Sequence, residues 1–119
     1  MRILIIEDTE DNRTILRDLF ESVGYTVLEA TNGEEGIASA EREHPDIILM
    51  DIQLPVLDGY EATRRIKAIP ALSGTPIIAV TSHALSDDEQ KARAAGCDDY
   101  VAKPFSPRAL LAKVQQLAR

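Results

Sequence analysis

Hydrophobic residues along the chain form short continuous runs, and longer segments with helical spacing separate these runs. Three of the runs, the first, third and fourth, are apolar throughout rather than alternating with polar residues. The five β-rich runs are Ile3–Ile6, Tyr25–Glu29, Ile47–Met50, Ile77–Val80 and Tyr100–Val101. Continuous apolar runs of this length are typical of parallel strands that are covered on both faces.

The intervening segments predict helices. The apolar stripe of the first helix ends at Gly24 and comprises Ile15, Leu16, Leu19, Phe20 and Val23. Residues 33–43 and 59–69 predict short helices that stop before a proline, and residues 84–95 predict a helix that closes on Gly96. The last helix follows a Ser106-Pro107 cap and carries the stripe Leu110, Leu111, Val114 and Leu117.

Strand and helix therefore alternate five times without a linker, a repeat or a low-complexity segment. Such alternation predicts a parallel sheet with right-handed crossovers and helices on both faces. A chain of 119 residues fits one domain of ordinary size. The sequence thus predicts a single three-layer, doubly wound (βα)5 domain over residues 1–119.

Charge and composition narrow the functional classes. Twenty acidic residues against thirteen basic ones give a net charge of −7, which argues against nucleic acid as a direct partner. The single cysteine excludes an intramolecular disulfide. No apolar run approaches the roughly 18 residues that span a bilayer, and the start lacks a signal-peptide pattern. A cytoplasmic location is expected.

Polar residues with chemical potential fall where predicted strands end. Glu7 and Asp8 follow the first strand, Asp51 the third, Thr81 the fourth, and Lys103 the fifth. Each alone is explained as a helix cap or a solvated residue. However, all of these positions are equivalent in the β-α register, and the carboxyl ends of parallel strands line one edge of a sheet.

Three carboxylates at one edge repel one another unless a cation compensates them. A hard divalent ion with oxygen ligands is the natural compensator, and Mg²⁺ suits a site with few protein ligands. A metal on acids attracts a phosphoryl group, to which Lys103 and Thr81 offer a positive charge and a hydroxyl. Asp51 is then a candidate nucleophile that forms an aspartyl phosphate.

Together these residues resemble the receiver domain of bacterial two-component response regulators over the whole chain. The resemblance rests on the motifs Glu7-Asp8, Asp51-Ile52-Gln53-Leu54-Pro55 with Asp58-Gly59, Thr81, and Cys97 to Phe105 with its Lys103-Pro104. It implies a flavodoxin-like strand order of 2-1-3-4-5 and phosphorelay signalling. One departure is that the acidic pair is Glu-Asp, where Asp-Asp is commoner in the family.

The resemblance implies a metal site for Mg²⁺, with Mn²⁺ as a possible substitute. Asp8, Asp51 and the backbone carbonyl of Gln53 would bind the ion directly, and Glu7 would act mainly through water.

The resemblance also assigns the phosphoryl chemistry. Asp51 would be the phosphoacceptor, and Lys103 would pair with the phosphoryl oxygens or, before phosphorylation, with Asp51. Thr81 would move inward to bind the phosphoryl group, and Tyr100 would follow as the coupled switch residue. The Lys103–Pro104 bond is expected to be cis.

Gln53 and His83 lie two residues after the phosphoacceptor and the switch threonine. These positions tune dephosphorylation in the family, so we hypothesise that the pair sets the lifetime of the aspartyl phosphate. For His83, a solvated loop histidine is an equally simple interpretation.

The predicted function is that of a signalling switch, which assists only its own phosphorylation and dephosphorylation. A histidine kinase or a histidine phosphotransfer protein would be the donor, and the domain would be a monomer or a weak homodimer without membrane contact. The 84–95 helix is thinly apolar, so it is either a solvated outer helix or, with the last strand and last helix, a face for a downstream protein.

Alternatives follow from the same residues. The chain is expected to be a stand-alone regulator, although a receiver excised from a hybrid histidine kinase or a multidomain regulator also fits the motif. An aspartyl-phosphate phosphatase would need an acid where Gln53 stands. A flavin-binding module would need a phosphate-binding loop after the first strand, where this chain has acids. A receiver that is never phosphorylated is disfavoured by the intact site.

Overall fold

Five parallel strands form one sheet in the order β2-β1-β3-β4-β5. The computed structural model describes residues 1–81, 88–103 and 105–118. The strands are β1 (Arg2–Ile6), β2 (Thr26–Ala30), β3 (Ile47–Asp51), β4 (Ile77–Thr81) and β5 (Asp99–Ala102). The predicted fold class and the strand order that the resemblance implied are confirmed.

In the part of the chain that the structure describes, five α-helices connect and follow the strands. They are α1 (Glu10–Glu21), α2 (Gly33–Glu43), α3 (Gly59–Lys67), α4 (Asp88–Ala95) and α5 (Pro107–Leu117). In the described residues, three of them begin at a side-chain cap: Asn32 accepts a hydrogen bond from the backbone of Glu35, Asp58 from Glu61, and Ser106, the cap that the sequence predicted, from Ala109. These caps fix where the chain turns away from the sheet.

Alternate residues of each central strand face opposite sides of the sheet, which explains the continuous apolar runs. On one side, Ile3 and Ile5 pack with Phe20 of α1 and Val114 of α5. On the other side, the core is formed with α2, α3 and α4 and includes Leu4, Ile6, Ile48, Met50, Ala40, Ile66 and Ala92. Helices therefore cover both faces and give three layers.

Apart from shifts of one residue at strand ends, the structure differs from the predicted elements in two places. The first helix ends at Glu21, and Ile15 and Val23 of its predicted stripe are 59% and 40% exposed. The third helix ends at Lys67, and a 3₁₀-helix over Pro70–Leu72 follows, which the sequence did not predict. Leu72 is fully buried, so packing of one side chain holds this short turn in place.

Two predictions lie outside the described residues, namely the role of His83 and the cis bond before Pro104. The predicted helix over 84–95 is described from Asp88 onward. Within the described part of the chain, no helix has the length and apolar character that crossing a membrane requires.

Candidate functional site

The carboxyl edge of the sheet brings three carboxylates together. One carboxylate oxygen each from Glu7, Asp8 and Asp51 lies within 4.8 Å of the others. Glu7 and Asp51 are 2% and 5% exposed, whereas Asp8 faces solvent. The acids at the ends of two neighbouring strands therefore form one cluster with a buried floor and an open rim.

Backbone geometry fixes Asp51 at this edge. The whole of β3 is buried, and its last residue pairs with Val80 of β4. The backbone N–H of Gln53 donates to Asp51 Oδ1 at 3.0 Å. A Cβ atom on Gly59 would lie 2.4 Å from the carbonyl oxygen of Asp51, so the loop returns this closely only because that residue is glycine.

Lys103 supplies a positive charge to the cluster. Its Nζ lies 2.8 Å from Glu7 Oε1 and 3.7 Å from Asp51 Oδ2. The resemblance implied pairing with Asp51 before phosphorylation, and the structure shows that the nearer partner is Glu7. The backbone of Lys103 is also tied to the site, because its N–H donates to the carbonyl of Thr81 at 2.6 Å.

The pKa values of the three carboxyl groups are shifted in different directions. Burial, with the contact to Glu7, raises the pKa of Asp51 to about 7. Burial alone would raise the pKa of Glu7, but hydrogen bonds with Asp51 and Lys103 lower it to about 2. The hydrogen bond to Glu7, followed by burial, raises the pKa of Asp8. One lysine thus does not neutralise three acids, and a proton or another cation is favoured near Asp51.

The donor atoms suit a hard divalent cation. The three side chains offer carboxylate oxygens, which Mg²⁺ prefers, and the exposed Asp8 leaves room for the water ligands that Mg²⁺ retains. The backbone of Gln53 lies beside Asp51, and its side chain is exposed. The residues present therefore fit the ion that the sequence predicted.

Thr81 and Tyr100, the predicted switch residues, lie on neighbouring strands. Thr81 ends β4, pairs with Ala102 and is 1% exposed. Tyr100 lies in β5 opposite Ala79 and is half-buried against the core under α2–α4. The structure thus places Thr81 at the carboxyl edge of the sheet and Tyr100 two positions further into the sheet.

A cleft of about 490 Å³ opens beside the acids, between α1 and the chain that follows β5. Its lining is mostly apolar and comprises Glu7, Asn12, Ile15, Leu16, Lys103, Phe105 and Pro107. Sequence reasoning missed Asn12, whose side-chain N–H donates to Glu7 Oε1 at 3.1 Å. The sequence signal that could have indicated this contact is that Asn12 lies in the first turn of the helix that directly follows Glu7.

A doubly wound domain with an acidic cluster and a lysine at its carboxyl edge defines the class to which the chain was likened. A family model described as the response regulator receiver domain matches residues 3–115. The chain belongs to this family, and it is therefore a phosphorelay signalling domain that acts as a switch.

Individual relatives show the same family. The polar-differentiation response regulator DivK of Brucella ovis is 43% identical over 104 residues, covering 87% of this chain and 85% of the relative. The receiver domain of the sensor histidine kinase PA1611 from Pseudomonas aeruginosa is 43% identical, with a TM-score of 0.92 and coverage of 98% and 96%. That crystal structure has a magnesium ion coordinated in its active-site cleft.

A more distant structure retains the fold. The chemotaxis response regulator CheY4 of Vibrio cholerae is 28% identical, with a TM-score of 0.92 and coverage of 98% of this chain and 97% of that chain. The receiver architecture is thus kept although most side chains differ.

Proposed function

We propose that this domain, residues 1–119, accepts a phosphoryl group on Asp51 from a phosphohistidine of a histidine kinase or a histidine phosphotransfer protein. In this step an Asp51 carboxylate oxygen forms a bond to phosphorus while the bond between phosphorus and the imidazole nitrogen breaks. The imidazole leaves with that electron pair and takes up a proton.

One observation carries this proposal. Asp51 is a buried carboxylate at the carboxyl edge of the sheet, beside Glu7 and Asp8 and 3.7 Å from the ammonium group of Lys103. A buried acid with a nearby cation and an excess of acidic neighbours is the arrangement expected of a reactive group, because burial and neighbouring carboxylates shift its pKa and leave negative charge that one lysine does not offset.

Mg²⁺ is the proposed cofactor, with Mn²⁺ as a possible substitute. Asp8, Asp51 and the backbone carbonyl of Gln53 would hold the ion directly, and Glu7 would act through water. Bound there, the ion supplies positive charge that offsets the carboxylates and the incoming phosphoryl oxygens. The excess of acids over lysine in the cluster supports this assignment.

Lys103 and Thr81 are the proposed partners of the phosphoryl oxygens, and Tyr100 is the proposed follower of Thr81. The face formed by α4, β5 and α5 would then change its affinity for a downstream protein, because a local charge shifts the balance between two arrangements. The location of Thr81 and Tyr100 on strands that border this face supports the proposal.

Gln53 and His83 are proposed to set the lifetime of the aspartyl phosphate. The exposed Gln53 side chain beside Asp51 supports its part of this proposal. Gln53→Ala and His83→Ala should each change the rate of autodephosphorylation, and unchanged rates in both variants would contradict it.

A phosphatase that turns over small phosphate esters is not favoured. The acid that would serve as its general acid and base is absent from position 53, where an exposed glutamine stands. The sequence left open whether the domain is a stand-alone regulator or a receiver from a hybrid histidine kinase. Both kinds of protein occur among the similar proteins, since one is named a response regulator and another is the receiver of a sensor histidine kinase.

The test is incubation with a small phosphodonor and Mg²⁺, followed by intact-mass measurement. Wild type should gain one phosphoryl group that hydroxylamine removes, and Asp51→Asn should gain none. Asp98→Asn is the matched control, because Asp98 also pairs with a lysine but lies at the opposite end of the sheet. Absence of an adduct on wild type, or an adduct that persists in Asp51→Asn, would overturn the proposal.

A further inference from the structure

We infer that Asn12 is a positioning residue for the acidic site, because its side-chain amide holds Glu7 when Lys103 changes partner. This inference rests on the proposed function of Asp51. Asn12 has no role among the residues that the sequence motifs indicate, and the structure alone brings it to the site.

Glu7 is held on both carboxylate oxygens. Its Oε1 accepts hydrogen bonds from Lys103 Nζ at 2.8 Å and from Asn12 Nδ2 at 3.1 Å. Its Oε2 accepts from the backbone N–H of Thr9 at 3.3 Å. Because Glu7 is 2% exposed, loss of a donor leaves a largely buried carboxylate oxygen with fewer hydrogen bonds, which costs free energy.

The ammonium group of Lys103 has two possible partners, the carboxylates of Glu7 and Asp51. In this structure it lies closer to Glu7 than to Asp51, by 2.8 Å against 3.7 Å. A phosphoryl group on Asp51 adds anionic oxygens that draw the lysine away from Glu7. Glu7 then loses its charged partner at the moment when its carboxylate must stay in place.

The side-chain amide of Asn12 can stay on Glu7 after Asp51 is phosphorylated, because it is uncharged and is not drawn to the phosphoryl oxygens as strongly as the lysine. It is uncharged, so it donates to Glu7 without reducing the negative charge that attracts a cation. A lysine at this position would compete with the cation, and an aspartate would add a fourth carboxylate. Asparagine is the side chain of this size that donates a hydrogen bond while leaving the charge of the site unchanged.

Asn12 also lies on a firmly placed element. The next residue, Arg13, donates from Nη1 to the backbone carbonyl of Glu7 at 2.9 Å, and its Nε lies 3.5 Å from Glu29 Oε1. The first part of α1 therefore holds both the backbone and the side chain of Glu7. Asn12 is held in register with Glu7 whichever partner Lys103 has.

The first test is a double-mutant cycle on Mg²⁺ affinity, measured by calorimetry without a phosphodonor. Asn12→Ala should weaken Mg²⁺ binding by less than about threefold in wild type, where Lys103 still holds Glu7. In the Lys103→Met background the same change should weaken binding by about tenfold, because the amide is then the side-chain N–H donor left to Glu7 among the described residues. Equal effects in both backgrounds would overturn the inference.

Two matched variants separate hydrogen bonding from packing and helix stability. Asn12→Leu keeps the approximate shape without a donor and should behave as Asn12→Ala does. Asn32→Ala removes an asparagine that caps α2, so it should lower thermal stability without changing Mg²⁺ affinity in either background. If the double variant Asn12→Leu, Lys103→Met binds Mg²⁺ as tightly as the single variant Lys103→Met, the role of the amide is contradicted.

The second test separates this inference from the proposed function. At saturating Mg²⁺, Asn12→Ala should slow phosphoryl incorporation from a small phosphodonor by about tenfold, and Asn32→Ala should not. If wild type takes up no phosphoryl group, the proposed function fails, and the Mg²⁺ cycle still decides whether Asn12 holds Glu7. If wild type is phosphorylated and Asn12→Ala matches it in rate, the inference alone fails.

Discussion

Two lysines lie near carboxylates at opposite ends of the sheet, and their surroundings differ. Lys67 binds Asp98 at 3.0 Å and also donates to the backbone carbonyl of Thr75 at 2.7 Å. Lys103 instead faces the buried Glu7 and Asp51 together.

The difference between these ends shows how a stabilising ion pair differs from the proposed reactive site. Asp98 is satisfied, since it also accepts from the backbone N–H of Ile77 at 2.9 Å and thereby joins the start of β4 to the start of β5. Three acids converge on Lys103, so that end retains uncompensated negative charge. The balanced pair stabilises the fold, whereas the unbalanced cluster is expected to be stabilised by the cation that we propose it binds.

The largest effect expected from this contrast is the response to Mg²⁺. At a free concentration of 100 times Kd, Mg²⁺ should raise the free energy of unfolding of wild type by about 2.7 kcal/mol. Asp51→Asn should lose most of that response, and Asp98→Asn should keep it. Denaturant unfolding with and without Mg²⁺ measures both, and an equal response in the two variants would remove the distinction between the ends.

Removal of Lys67 tests the structural end. Lys67→Met should lower the free energy of unfolding by about 1–3 kcal/mol, because the carbonyl of Thr75 and the carboxylate of Asp98 both lose a donor. Urea unfolding should show this loss, while the stabilisation by Mg²⁺ should match that of wild type. A variant as stable as wild type would show that the contacts of Lys67 with Thr75 and Asp98 contribute little to stability.

Neutralising one acid at each end should give effects of opposite sign. Without Mg²⁺ near pH 8, Asp51→Asn should raise the free energy of unfolding by about 1 kcal/mol, because a carboxylate is removed from beside the buried Glu7. Asp98→Asn should lower it by about 1 kcal/mol through loss of a charge-assisted bond. Denaturation of both variants in chelator-treated buffer measures this, and changes of the same sign would contradict the contrast.

The last comparison concerns one backbone position with a positive φ near each of the two acids, and it includes the smallest expected effect. Val56, in the loop after Asp51, has a φ of 72°, and the backbone N–H of Leu57 donates to the carbonyl of Pro55 at 2.7 Å. Gly96, two residues before Asp98, has a φ of 112°. Both positions have a positive φ, but the loop after Asp51 carries a β-branched residue there, whereas the turn before Asp98 carries glycine.

Val56→Gly should raise the free energy of unfolding by about 0.5 kcal/mol, because strain relief of about 1–3 kcal/mol exceeds the entropy of the more flexible unfolded chain. Gly96→Ala should lower it by at least about 1 kcal/mol, since the new Cβ is strained and meets the Lys67 side chain at 3.0 Å. Thermal unfolding of both variants provides the measurement, and destabilisation by Val56→Gly would show that the loop is not strained.

The sequence predicted the elements well where local rules apply. Alternation of apolar runs with helical stripes indicated five strands and five helices, and the cap at Ser106 was predicted from residue type. Helical periodicity failed for Ile15 and Val23, because it identifies a stripe and not how much of that stripe the sheet covers. The 3₁₀-helix before β4 depends on the burial of Leu72, which no local pattern records.

The sequence by itself determined that Glu7, Asp8, Asp51, Thr81 and Lys103 would share one edge, because strands in a parallel sheet end on the same side. Only the tertiary structure decided how they pair. Lys103 lies nearer Glu7 than Asp51, and Asn12 shares that carboxylate, although Glu7 and Lys103 are 96 positions apart. Hydrogen bonds and buried charges depend on differences of less than an ångström, which the folding of distant segments against each other sets.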